Sequence, residues 1–205
     1  MALSIRGLSF SYGAEPLVQN FALEVSPGEP TLLKGDSGSG KTTLLKLCAG
    51  LLVPASGEIS LAGENLKFDG EGGRKWRREQ AVYLDQDNSL VANWSVQENW
   101  SLVNADRDAQ TAVARKFGLE NLADSLVGTL SGGERQRAAI ARLLLRPARL
   151  ALVDEPTSHL DDRHTRAVLN ELIRHFQSSV LIVVSHDRRL EEYMARVIPW
   201  QRALR

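Results

Sequence analysis

The chain has 205 residues, 43% of them hydrophobic and 24% charged, and its 25 Lys and Arg balance its 25 Asp and Glu. That composition suits one large soluble globular domain with room for a small insertion, and the balanced charge leaves no overall pull toward nucleic acid or anionic lipid. No run of about 18 apolar residues is present to span a bilayer, "MALSIRGLSFSYG" lacks the organisation of a signal peptide, and the lone Cys48 reads as a small buried hydrophobe in a reducing compartment.

In chain order, "LSIRGLSFSY" (3–12) and "QNFALEVSPGE" (19–29) alternate as strands, the second running into the turn "SPGE". "TLLKG" (31–35) is a short apolar strand ending at glycine, and a helix starts near Lys41. "GEISLAGENL" (57–66) and "AVYLDQ" (81–86) read as further strands. Between them Arg74, Lys75, Arg77 and Arg78 surround Trp76, and the expectation there is a solvated surface turn. From Ser95 to about Leu126 the pattern is helical, as in "DAQTAVARKFG", with no obvious strand, which indicates an inserted helical subdomain. A helix over 134–145 follows, then the strand "RLALVDEP" (149–156), a helix near 162–176 and the apolar strand "SVLIVVSH" (179–186). Strands alternating with helices predict an α/β core with a mostly parallel sheet, and the β-rich N-terminal part predicts an antiparallel layer beside it.

"GDSGSGKT" (35–42) sits between a strand and a helix and matches G-x-x-x-x-G-K-[ST], the context a phosphate-binding loop requires. Gly35, Gly38 and Gly40 let the backbone wrap close to phosphate oxygens and aim N–H groups at them from a helix N-terminus. Lys41 can reach the β- and γ-phosphates, and the Thr42 hydroxyl can ligate Mg²⁺. "LALVDEP" places Asp154 and Glu155 at the C-terminal end of an apolar strand, where open α/β sheets bind ligands. Asp154 is placed to hold Mg²⁺, and Glu155 to act as general base on an attacking water. His186 ends the next buried strand and could hydrogen-bond a γ-phosphate. Gln86, ending "AVYLDQ", is a polar side chain placed near Mg²⁺ by the same strand-end argument, and on its own a weaker one. Tyr12 could stack on an adenine ring or pack in the core.

"LSGGERQRAAIARLLL" (130–145) is a second helix start fit for an anion, with Ser131 as cap and Gly132 and Gly133 exposing backbone N–H groups. Taken in this order, the motifs resemble the nucleotide-binding domain of ABC (ATP-binding cassette) proteins over essentially the whole chain. The resemblance implies a P-loop fold of ABC type, with a core of 1–86 and 146–205 and a compact helical subdomain of about 87–145. It implies an ATP site formed by Tyr12 as A-loop aromatic, Gly35, Asp36, Ser37, Gly38, Ser39, Gly40, Lys41, Thr42 and Thr43 as Walker A, and Gln86 as Q-loop. Walker B ends at Asp154 with Glu155 catalytic, and His186 is the switch histidine.

In the family two cassettes pair head to tail, so Ser131, Gly132 and Gly133 would meet the γ-phosphate held by the partner's loop. Asp161 of the D-loop "SHLD" (158–161) would relay across that seam, and His159 is an unusual occupant there, facing solvent or the seam. The implied protein is the ATPase subunit of a transporter, powering transport or substrate release. A cassette that transmits force to a membrane complex without moving a solute, as in lipoprotein release or cell-envelope remodelling, is a further alternative. The subunit is a homodimer when ATP is bound, peripheral on the cytoplasmic face of the cell membrane. Its partners are separate membrane-spanning permease subunits, and no nucleic acid is expected. Leu90, Val91 and Trp94 are candidates to hold a permease helix, with core packing the competing reading, and the basic cluster 74–78 could border that contact. The stretch "RVIPWQRALR" follows the last expected strand, and the expectation is that no C-terminal regulatory domain comes after it. The reading from another class is a soluble ABC ATPase acting on DNA, in translation or in assembly.

Overall fold

The computed structural model describes residues 2–103 and 105–200. β1 (Leu3–Tyr12) and β2 (Glu15–Val25) form a hairpin, β3 (Thr31–Lys34) leads to α1 (Lys41–Cys48), and β4 (Ser56–Leu61) turns back into β5 (Glu64–Asn65). α2 (Gly70–Glu79) precedes β6 (Ala81–Leu84), and α3 (Val96–Ser101), α4 (Arg107–Phe117) and α5 (Gly132–Leu144) follow. The chain then runs through β7 (Leu150–Asp154), α6 (Asp162–His175), β8 (Val180–Ser185) and β9 (Arg196–Pro199).

The strands assort into an antiparallel sheet in the order β2-β1-β4-β5 and a second sheet in the order β6-β7-β8-β3-β9. In the second, β7–β8, β8–β3 and β3–β9 are parallel. β7 and β8 are buried at every position, as continuous apolar strands covered on both faces must be. This is the α/β architecture with an antiparallel layer that the alternation of strands and helices predicts. Leu3, Ile5, Ile59 and Leu61 of the antiparallel sheet, Leu44, Leu45 and Leu47 of α1, and Leu150, Leu152 and Ile182 of the parallel sheet join in one core. Cys48 lies inside it as expected, and burial pushes its thiol pKa up to about 12.

The chain divides into two compact units. One comprises the chain up to Tyr83 with Ala148–Asp154 and everything from Phe176 onward, and the other comprises Leu84–Pro147 with Glu155–His175. The second unit contains α3 to α6. Within it Trp100 is 1% exposed and donates its indole N–H to the carbonyl of Ala138 on α5 at 2.9 Å. The Lys116–Glu171 ion pair joins α4 to α6. The fully buried Asn99 accepts from Val91 N and donates to the carbonyls of Val91 and Ser95, so one amide fastens the loop 91–95. Among the described residues no helix is long and apolar enough to cross a membrane.

Three elements differ from the sequence reading. The basic cluster is no surface turn but lies on the helix α2, capped by the Asp69 carboxylate, which accepts from Gly72 N. Trp76 is 5% exposed and donates to the carbonyl of Cys48, while Arg77 donates to the carbonyls of Ala49 and Gly50. These are the orphan acceptors at the end of α1, and a guanidinium there also meets the negative end of the helix dipole. Gly73 is required because a Cβ would lie 2.4 Å from the Gly50 carbonyl oxygen. Only Arg74, Lys75 and Arg78 of the cluster are exposed. Second, "GEISLAGENL" is a hairpin of β4 and β5 and not a single strand. Third, "RVIP" forms β9 on the edge of the parallel sheet beside β3; residues 201–205 of that terminal stretch lie outside the described residues.

The two readings of the cluster separate by denaturation. With Trp76 a buried anchor, Trp76→Ala is expected to lower the unfolding free energy by about 3–5 kcal/mol. Lys75→Ala, on the exposed side of the same helix, should stay within about 0.5 kcal/mol of the parent in urea titration.

Candidate functional site

Parallel pairing aligns the C-terminal ends of β7, β8 and β3 along one edge. Lys34 pairs with Ser185, and Asp154 with Val184. One residue beyond Lys34 the loop Gly35–Gly40 begins, and one residue beyond Ser185 stands the exposed His186. Asp154 is 1% exposed at the end of β7. Gly35 to Thr43, Asp154 and His186 therefore share one strand-end edge of the first unit.

The loop turns through left-handed glycines, Gly38 at φ 75° and Gly40 at φ 102°, a conformation glycine adopts without steric cost. Gly40 is the N-cap of α1 and has no side chain with which to cap it, and no acidic residue stands in the first turn. The first N–H groups of α1 are thus not taken by a side-chain cap, the arrangement that favours anions at helix N-termini. Asp36, Ser37 and Gly38 are exposed, Thr42 is half-buried, and Ser39 and Thr43 are buried. The Lys41 ammonium, 6% exposed, curls back to donate to the carbonyls of Gly35 and Asp36 at 2.7 Å each. Leu17 of β2 packs over Gly40, where a Cβ would meet it at 2.9 Å. Tyr12, the last residue of β1, is 60% exposed and edge-on to Phe10. Tyr12 is accordingly not part of the core.

Thr42 and Asp154 are hard oxygen donors of the kind Mg²⁺ prefers. Among the described residues no group of three or more His, Cys, Asp and Glu could hold a metal alone. Two such oxygen donors fit an ion whose remaining ligands come from phosphate oxygens and water.

Gln86, Ser131, Gly132, Gly133, Glu155 and Asp161 belong to the second unit. Glu155, 9% exposed, follows Asp154 with φ 46°, a left-handed backbone uncommon outside glycine and concentrated at functional sites. The buried Gln136 of α5 donates to the carbonyls of Glu155 and Pro156, and the Ser158 hydroxyl donates to Glu155 as well. Asp161 caps α6: it accepts from His164 N at 2.8 Å, and this bond, ahead of the His164 ring contact, holds its carboxyl below the usual range. Gln86 is exposed. Leu90 is half-buried, and Val91 and Trp94 are 39% and 41% exposed, so the latter two are surface and not core.

At the start of α5, Ser131 and Glu134 form a full capping box. Ser131 N and Oγ donate to the Glu134 carboxylate at 2.8 and 2.6 Å, and Glu134 N donates back to Ser131 Oγ at 3.3 Å. The spacing S-x-x-E is the signal that reveals Glu134 in the sequence, where the cap residue Ser131 by itself does not. His159 (φ 62°) lies against the two glycines, where a Cβ on Gly132 would stand 3.1 Å from the ring and one on Gly133 3.0 Å from its carbonyl oxygen. The glycines thus answer to a close backbone approach as well as to N–H exposure. That approach is tertiary, and no spacing announces it.

The ABC transporter family model matches residues 18–158. The lipoprotein-releasing system ATP-binding protein LolD of Pseudomonas syringae pv. tomato is 36% identical over 96% of this chain and 93% of its own. The thiamine import ATP-binding protein ThiQ of Salmonella choleraesuis is 39% identical over 89% of this chain and 79% of its own. Among solved structures, a dimeric post-hydrolysis state of an ATP-binding cassette bound to ADP and Pi superposes with a TM-score of 0.88 at 26% identity, covering 97% of this chain and 94% of that one.

The Ser131 hydroxyl, and after it the Ser131 amide, hold the Glu134 carboxyl below the usual range. A depressed folded value means that the carboxylate cap is in place above the ordinary glutamate value near 4.3 and is lost as pH falls through the folded value. Protection of the Ser131 amide from hydrogen exchange is expected to hold from pH 7 to below about 4.3. Glu134→Ala should abolish it at every pH, and Glu134→Gln, which keeps an acceptor, should make it pH-independent.

Proposed function

The chain belongs to the ABC transporter family as an ATP-binding, ATP-hydrolysing subunit, and we propose that it drives membrane-spanning partners by closing head to tail on a second cassette around ATP. The observation that carries this reading is the split of anion-ready groups. The loop Gly35–Thr43, Asp154 and His186 share one sheet edge, while a second glycine-fronted helix start, at Ser131, stands in the other unit. A chain that contributes to two composite sites needs both.

In this reading Tyr12 stacks on adenine, and the N–H groups of the loop and the start of α1 receive the phosphates. Lys41 exchanges the carbonyls of Gly35 and Asp36 for β- and γ-phosphate oxygens, a stronger charge-assisted bond. Thr42, Asp154 and Gln86 would hold a Mg²⁺ that neutralises phosphate charge. Glu155 takes the proton of the attacking water, and His186 holds the γ-phosphate. Ser131, Gly132 and Gly133 close over the partner's γ-phosphate, and Asp161 stands at the seam, so ATP joins the cassettes and its hydrolysis parts them. Val91 and Trp94, with Leu90, receive the permease on the cytoplasmic face of the membrane. The relatives reported above serve transport or lipoprotein release, which favours this reading over a soluble role on DNA, in translation or in assembly. Because such different cargoes occur at similar identity, we place cargo selection in the membrane partner.

Glu155→Gln is expected to bind ATP, lose at least about a hundredfold in turnover and elute as a dimer from gel filtration only with saturating ATP. A variant that binds ATP and stays monomeric would refute the composite site. Purified from detergent-solubilised native membranes, the same variant should bring down a polytopic membrane protein; recovery with soluble proteins alone would favour the soluble class.

A further inference from the structure

The segment after His186 returns to the phosphate loop and grips it. Glu191, on the short helical turn Arg188–Tyr193, pairs with Lys34, the residue before the loop. β9 then runs parallel to β3 and delivers Trp200, which is 7% exposed and edge-on to Phe21 with ring centroids 4.9 Å apart. Trp200 holds the loop at both ends. Its backbone N donates to the Lys34 carbonyl at 2.6 Å, and its indole Nε1 donates to the Ser39 carbonyl at 2.9 Å. The approach is so close that a Cβ on Gly35 would stand 2.2 Å from the Trp200 carbonyl oxygen.

The indole contact fixes a direction. In a planar trans peptide the carbonyl and the next N–H point opposite ways, so holding the Ser39 carbonyl on the indole turns the Gly40 N–H to the other side of the loop. Gly40 tolerates either sign of φ, which makes the Ser39–Gly40 peptide the easy one to flip. A flip would aim a carbonyl where the loop otherwise offers a donor. We propose that Trp200 is a positioning residue for the phosphate loop, its indole N–H locking the Ser39–Gly40 peptide with the Gly40 N–H available to a nucleotide phosphate. The proposal rests on Gly35–Thr43 being the nucleotide loop. The contact is made before and after the chemical step alike, so it contributes uniform binding and leaves turnover at saturation unchanged.

The test is calorimetric titration of the purified chain with Mg-ATP, beside steady-state hydrolysis, for the parent and Trp200→Phe. Phenylalanine keeps a ring against Phe21 and removes only the donor. Loss of one neutral hydrogen bond predicts a Kd and KM for ATP raised about fivefold, with kcat within about twofold. A parent-like Kd in Trp200→Phe overturns the proposal while the nucleotide loop stands, and so does a loss confined to kcat. A parent chain that does not bind ATP overturns the loop assignment itself. If Trp200→Phe fails to fold, Phe21→Leu loosens the indole from its other side and should raise the ATP Kd about twofold; an unchanged Kd there also counts against Trp200.

Discussion

The parallel pairing of β3, β8 and β7 is the constraint on which the rest of the first unit depends. Parallel strands end on the same side, so residues far apart in sequence arrive together without any direct attraction between them. The pairs Lys34–Ser185 and Asp154–Val184 set the level of that edge. A slip of one residue would turn every side chain of the strand to the opposite face of the sheet and move its last residue off the edge. In "VLIVVS" and "LALVD" only the last residue is polar, so a slip would carry Ser185 or Asp154 into an apolar position.

Close backbone approach is a second recurring device. Gly73 lies under Gly50, Gly132 and Gly133 under His159, and Gly35 under Trp200, each in a space that a Cβ would fill. In the first case glycine lets a helix reach the end of its neighbour. In the other two it lets a segment distant in sequence support a turn that presents N–H groups. The motif glycines thus answer to tertiary packing as well as to the phosphate role proposed for them.

Local signals were the legible part of this sequence. The loop "GDSGSGKT", the strand-end carboxylates and the cap at Ser131 are short patterns whose physics lies within a few residues, and the α/β alternation follows from hydrophobic periodicity. The misreadings have a tertiary cause. Charge density around Trp76 suggested a solvated turn because its partners, the carbonyls of Cys48, Ala49 and Gly50, are more than twenty residues away in sequence. "RVIP" is too short to register as a strand until β3 supplies its ladder. Trp200 carries no local signal, since its tie to Ser39 spans most of the chain.

The amide of Asn99 gives the loop before α3 a property of its own. Three hydrogen bonds from one fully buried side chain hold both ends of 91–95, while Val91 and Trp94 remain in solvent. Backbone ordering, which costs about 1–2 kcal/mol per residue, has there been met by folding. Whatever docks on Val91 and Trp94 meets a surface already set, so association loses little conformational entropy and residence time depends on the fit of those side chains.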